Sequence, residues 1–247
     1  MTSEFTSETI DASTTAGTTR VGLVVGSTRP GRKAATVADW VLDGVRAHPR
    51  VRSGDVEFAV LDLARVALPM LDEPLAAAFG RYQHEHTRRW AATVASCDAF
   101  VFVTPEYNHS IPAAVKNAID YLYAEWHHKA VGAVSYGLAG GVRAVEHLRT
   151  VLVEVKAVPV SAQVALSVFD DFSYANPADP TDPGVVAARP HQDAVLQDLL
   201  EELLAHSRAL APLRGSARRQ ADGAGDHDSG SAADPVGADG GQPVGAL

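Results

Sequence analysis

Five short, almost wholly apolar runs punctuate the chain, each followed by a segment of helical spacing, and this alternation limits the possible folds more than any other feature. Val21 to Val25 (VGLVV), Asp55 to Asp62 (DVEFAVLD), Ala99 to Val103 (AFVFV), Ala130 to Ser135 (AVGAVS) and Val158 to Leu166 read as strands. Valine recurs in all five, and the runs are too short for helices. The intervening patterns predict helices over about Lys33 to His48, His84 to Ser96, Ser110 to Tyr123, Gly141 to Val155 and His191 to Leu213. In the third of these, Ser110 is expected to cap the start, with Pro112 in the first turn and Ile111, Val115, Ala118, Ile119 and Leu122 along one face.

Strand followed by helix, repeated in this way, implies parallel strands joined by right-handed crossovers with helices on both faces. Core strands that are apolar on both faces agree, because a sheet covered on both sides has no solvent face. Five strands fit the α/β flavodoxin-like order 2-1-3-4-5 better than a six-stranded dinucleotide fold. The domain is expected over 20–213. Residues 1–19 are Thr/Ser-rich and 214–247 Gly/Ala/Asp-rich; with too little apolar surface to offset an ordering cost of roughly 1–2 kcal/mol per residue, both are expected to be disordered tails. Residues 170–190, rich in Asp and Pro, are expected to form a long loop.

All strand-to-helix loops of a parallel sheet leave from one edge. Those after the first, third and fourth strands belong to neighbours in the order 2-1-3-4-5, so they meet where open sheets bind ligands. The first loop, Gly26-Ser27-Thr28-Arg29-Pro30-Gly31-Arg32-Lys33, combines turn-forming glycines, hydroxyl donors and two guanidinium groups at a helix N-terminus, a pattern suited to phosphate. It is not a Walker loop, since Arg32-Lys33 stands where Lys and a hydroxyl residue are needed, and it lacks GxGxxG. The second, Thr104 to Ser110, is stiffened by Pro105 and sets Tyr107 between Glu106 and Asn108, a combination suited to a flat heteroaromatic ligand but equally to a plain turn before a helix. The third is Ser135-Tyr136-Gly137-Leu138-Ala139-Gly140-Gly141.

The PEYN segment with its IPAAVKNAIDYL continuation, together with GSTRPGR and SYGLAGG, resembles the NADPH-dependent FMN reductase family over about residues 20–165. The resemblance implies FMN as cofactor and NADPH or NADH as co-substrate. Hydride would pass from NAD(P)H through bound FMN to a small acceptor such as a flavin or quinone, with no side chain indispensable as catalytic acid or base. It also implies that Ser27, Arg29 and Arg32 hold the FMN phosphate, and that Pro105, Glu106, Tyr107 and Asn108 flank the ring and ribityl chain. Ser135, Gly137, Gly140 and Gly141 would bring the third loop to the ring edge. A homodimer or dimer-based tetramer is implied, with residues 66–90 lining a dimer contact beside the flavin. Two positions depart from the family pattern. Lys33-Ala34-Ala35 offers no hydroxyl or amide to complete the phosphate site, leaving Thr36 as a substitute, and Val115 replaces a frequent leucine. The competing reading is a non-enzymatic FMN-binding electron carrier or flavin-dependent regulator.

Composition narrows the classes further. A formal net charge of −9 argues against a nucleic-acid binder, which needs a broad basic surface. No apolar run reaches membrane-spanning length, and the start lacks the basic and apolar regions of a signal peptide, so a cytoplasmic protein is expected. The single cysteine, Cys97, rules out an intrachain disulfide and is expected to be packed. No metal site is expected. Helical spacing sends His84 and His86 to different sides, and the adjacent His127 and His128 are expected to point apart.

Overall fold

The computed structural model describes residues 17–224, the last nine as backbone only. Five parallel strands, β1 (Thr19–Val25), β2 (Val56–Asp62), β3 (Ala99–Pro105), β4 (Ala130–Gly137) and β5 (Val158–Ser167), form one sheet in the order β2-β1-β3-β4-β5. This is the expected flavodoxin-like arrangement. Successive residues of the central strands feed two separate cores. Leu23, Val25, Val101 and Val103 pack on one face under α1 (Ala34–Arg46) and α7 (Pro190–Ala224). Val24, Phe100 and Phe102 pack on the other under α4 (Glu85–Ala95), α5 (Ala113–Asp120) and α6 (Val142–Glu154). Full burial of each such side chain contributes about 1.5–3 kcal/mol relative to exposure, which is why strands with no polar face are stable only between two helical layers. Cys97 is buried in the second core, as expected, and burial pushes its thiol pKa up.

Two short helices flank β2: α2 (Pro49–Arg52) and α3 (Leu63–Val66), the latter capped by the Asp62 carboxylate, which accepts from Ala64 N–H. At the β4–β5 pairing the register slips between Val131 and Ala133. Side chains from both faces satisfy the backbone freed there. The Glu202 carboxylate of α7 accepts from the N–H groups of Ser161 and Ala162, at 2.9 and 2.8 Å. Arg149 of α6 donates to the carbonyls of Val160 and Ser161, at 2.9 and 3.1 Å.

The structure corrects the expected outline in three places. Helix α5 starts at Ala113 with Pro112 as its N-cap, not Ser110; Ser110 is instead held in a two-residue hairpin with Tyr107. The expected loop at 170–190 contains a small antiparallel ribbon, β6 (Phe172–Ser173) and β7 (Val185–Val186). Helix α7 runs past Leu213 to Ala224, eleven residues into the expected C-terminal tail. The rest of that tail, and residues 1–16 of the N-terminal one, lie outside the described residues.

Candidate functional site

The three unusual loops leave the same sheet edge and touch. Gly26, at the end of β1, donates its N–H to Val103 O at 2.9 Å; a Cβ there would lie 2.6 Å from Val115 Cγ2 and 2.9 Å from the Val103 carbonyl. Only glycine lets the first loop turn off the sheet this close to β3. The next residue, Ser27, is fully buried, and its Oγ lies 2.9 Å from Tyr107 Oη, joining the first loop to the second. Beyond it, α1 begins with no side-chain cap and no acidic residue in its first turn. Its N-terminus therefore keeps a positive end for an anion.

Arg29 is exposed and makes no ion pair among the described residues. Arg32 turns back to Asp62 at the end of β2, with Nη2 at 2.5 Å, while its Nε is buried without a hydrogen-bond partner. Lys33 departs from the phosphate position altogether. Its Nζ donates to the carbonyls of Asp182 and Pro183, both at 3.0 Å, and lies 4.3 Å from the centre of the Tyr174 ring. Burial lowers the Lys33 pKa, with Asp182 opposing and Arg29 adding to that shift. The ribbon is thereby fastened to the first loop. Thr36, the expected substitute at the phosphate site, is used locally: its hydroxyl donates to Lys33 O at 3.2 Å.

In the second loop, Pro105 ends β3 in register with Tyr136 of β4, and Glu106 N–H donates to Tyr136 O. Tyr107 and Ser110 exchange backbone hydrogen bonds of 2.9 and 3.0 Å across Asn108 and His109, both at positive φ (49° and 67°). Asn tolerates this conformation better than most residues, so Asn108 shapes the hairpin, whatever else it touches. Glu106 ties the second loop to the third segment: its carboxylate accepts from Arg143 N–H at 3.1 Å and pairs with the Arg143 guanidinium, closing the start of α6.

The third loop is the tightest. Gly140 and Gly141 both have positive φ (74° and 75°), and a Cβ on Gly141 would come within 2.9 Å of Ser135 Cβ and Tyr136 N. Gly137 lies against Gly141 and Glu106, so it does join the two loops. Ser135 is fully buried, donates to Gly140 O at 2.7 Å and accepts from Gln163 at 3.2 Å, so its hydroxyl holds the turn from inside.

Tyr136 was not among the expected site residues. It is 5% exposed and its hydroxyl has no hydrogen-bond partner. That hydroxyl lies within electrostatic reach of Tyr107, Ser27, Arg29 and Arg32. Burial and the neighbouring Tyr107 push its pKa far above the ordinary phenol value, against the lowering effects of Ser27, Arg29 and Arg32. The sequence signal was present, a polar tip among strand residues beside a glycine turn, but the aromatic body reads as core.

A cleft of about 480 Å³ opens beside the first loop at Thr28, lined by Leu63, Ala67, Leu68, Met70, Ala114 and Asn117. Its outer wall is positioned by the KNAIDY motif. Asn117 donates to Pro69 O at 2.7 Å and accepts from Leu71 N–H at 2.9 Å, while Tyr121 Oη donates to the Asp72 carboxylate at 2.8 Å. Asp72 also gathers the two histidines expected to diverge, His84 at its backbone carbonyl (3.2 Å) and His86 at its carboxylate. His84 precedes α4 in extended conformation, so helical spacing does not apply; its ring stacks on His86 at 5.2 Å, and His86 Nε2 lies 3.0 Å from Asp72. His127 and His128 stand with ring centres 5.9 Å apart at 66°. No group of three or more His, Cys, Asp or Glu side chains suited to a metal occurs among the described residues.

The sequence profile of NADPH-dependent FMN reductases matches residues 19–171. The NAD(P)H-dependent FMN reductase ntnL of Nectria sp is 40% identical over 129 residues, 51% of this chain and 63% of that protein. LOT6 of Saccharomyces cerevisiae, another NAD(P)H-dependent FMN reductase, is 38% identical over 139 residues, 54% of this chain and 73% of its own. A quinone reductase of Pseudomonas putida is 34% identical over 143 residues, 54% and 69% respectively. The chain thus spans under two thirds of the first of these relatives. Among solved structures, an oxidoreductase from Corynebacterium diphtheriae aligns with a TM-score of 0.59 at 15% identity, covering 78% of this chain and 99% of that one. FerB, a flavoenzyme NAD(P)H:(acceptor) oxidoreductase from Paracoccus denitrificans, aligns at 0.56 and 21% identity, covering 76% and 98%. At such identities these two likenesses speak for the fold alone. The profile covers all three loops and the cleft beside them, and on that match the chain belongs to the NADPH-dependent FMN reductase family.

Proposed function

We propose that this chain is an FMN-dependent NAD(P)H oxidoreductase that passes two electrons to a small flat acceptor. The observation that carries the reading is the convergence of the three loops, with a buried, unpartnered Arg32 Nε and an uncapped α1 N-terminus at one end of the cradle. Buried donors without acceptors are costly, about 1–3 kcal/mol each, and a phosphate dianion is the kind of group that removes the cost. The residues present therefore fit the phosphate end of FMN. Arg29 and Arg32 would hold it, with Ser27 buried below and sharing its hydroxyl with Tyr107.

FMN, when bound, supplies the hydride-accepting ring, and the protein's part is orientation and electrostatics. The Pro105–Asn108 hairpin and the Gly137–Gly141 turn present rigid backbone to a ring edge. The Glu106–Arg143 pair fixes their separation. Glu106 is occupied on both oxygens, which suits a positioning residue better than a proton donor. The exposed Met70, Leu71 and Phe79 on the segment held by Asn117 support a homodimer formed beside the cleft. The FMN reductases and quinone reductases among the relatives support a flat, reducible ring as the acceptor.

The experiment is anaerobic stopped-flow mixing of the FMN-loaded protein with NADPH and, separately, NADH. Rapid bleaching of the flavin absorbance by at least one of them is expected, and slow bleaching by both would favour the electron carrier or regulator.

A further inference from the structure

We propose that Tyr136 Oη is a phosphate donor of this site and the group that makes it select a phosphorylated flavin over the unphosphorylated one. This rests on the flavin reading above and assigns it a residue outside the phosphate loop itself.

Tyr136 comes from β4, two strands away from β1 in the sheet, yet its hydroxyl reaches the first loop. Three features make it a ligand group instead of a core tyrosine. First, the side chain is 5% exposed and its oxygen has no hydrogen-bond partner, a condition that native cores avoid. The nearby Ser27 hydroxyl pairs with Tyr107 and lies close to this oxygen without making a hydrogen bond of normal geometry to it. Second, Ser27, Tyr107, Arg29 and Arg32, two hydroxyls and two cations, are close enough to act on the oxygen's ionisation, and two nearby cations favour an anion. Third, the ring cannot swing away. Phe172 of the ribbon packs against it with ring centres 6.4 Å apart, and Phe172 in turn stacks on Tyr174 at 6.2 Å, beneath Lys33. The phenol stays protonated at neutral pH, since burial raises its pKa. It is therefore a donor, and a phosphate dianion, which has acceptors alone, is a matching partner.

Donation to a charged oxygen is lost completely when the ligand has no phosphate, so the residue discriminates between ligands by what it leaves unpaired. Riboflavin would meet the same orphaned hydroxyl that the empty protein carries, and would gain nothing from it.

The test uses the full chain freed of flavin, titrated with FMN and with riboflavin by fluorescence quenching, for wild type and Tyr136→Phe. The variant should raise the FMN dissociation constant by about ten- to a hundredfold, the range for a hydrogen bond to a charged group, and leave that for riboflavin within about twofold. Its flavin-free melting temperature should equal or exceed that of wild type, because the hydroxyl removed has no partner to lose. A structural role would give the opposite sign. An unchanged FMN constant, an equal weakening of both flavins, or a lowered melting temperature or failure to fold would each overturn the assignment. A wild type that binds neither flavin would remove the flavin reading itself. FMN binding without hydride transfer would reject the proposed activity and leave Tyr136 in place.

Discussion

Arg29 and Ser135 stand at opposite ends of what a site residue can be. Arg29 is exposed, without an ion pair among the described residues, and available to a ligand; Ser135 is sealed inside the third loop. Arg29→Ala should weaken FMN binding by about 1.5–3 kcal/mol, read by fluorescence titration, with the melting temperature unchanged. Ser135→Ala should do the reverse first: it leaves Gln163 and the Gly140 carbonyl short of a partner and should cost about 1–3 kcal/mol of stability by denaturant unfolding. The sequence makes Arg29 and the glycines of the first and third loops legible, since charge and φ freedom are properties of the residue itself. It does not show that Ser27 and Ser135 are both fully buried, one joined to Tyr107 and the other to Gly140 and Gln163, because a hydroxyl's partners depend on which way the turn rolls. It also hides Tyr136, whose function lies in a single oxygen at the tip of a core side chain, and Lys33, whose partners are 149 and 150 residues away.

At the scale of elements, the ribbon β6–β7 is closed at its neck by one carboxylate. Asp171 is fully buried and accepts from Ser167 N–H at 2.7 Å, from Gln192 at 2.8 Å and from Arg189 at 2.8 Å. Desolvation raises its pKa, but the bonds from Gln192, Arg189 and Ser167 together outweigh it and the net shift is downward. A depressed native pKa contributes stability that is complete above the unfolded-state value of 3.8 and is lost as pH falls through the lower native one. The stability difference between wild type and Asp171→Asn, measured by thermal melts across a pH series, should therefore be constant near neutrality and shrink below 3.8. A difference independent of pH would mean the carboxylate's charge does not hold the neck. The central strands and most helices were legible as periodic patterns, while this ribbon was not. Its two-residue strands are too short to show alternation, and its anchors, Asp171 and Lys33, work through tertiary partners. The start of α5 was misplaced for a related reason: Ser110 is a good cap by type, but the Asn108–His109 turn had already claimed its backbone.

For the molecule as a whole, the sheet order followed from the sequence because five strand–helix repeats leave few ways to cover both faces. The surface beside the cleft did not; a contact over residues 66–90 was implied by the family resemblance alone. Met70, Leu71 and Phe79 are exposed at 74%, 47% and 64% on a segment that Asn117 and Tyr121 hold in place. If they form the dimer contact, a Met70→Glu, Phe79→Glu double variant should run as a monomer in light scattering where wild type runs as a dimer, with circular dichroism unchanged. An identical mass for both would place any contact elsewhere. The clamp on β5 has a different consequence. An open sheet ends in two strands whose outward amides can recruit a stranger's backbone. Here Glu202 and Arg149 engage donors and acceptors together at the irregular stretch of β5, so a foreign strand laid along that side would first have to break charge-assisted bonds. The protein thereby guards one flank against fibrous self-association with two side chains that lie outside the three converging loops.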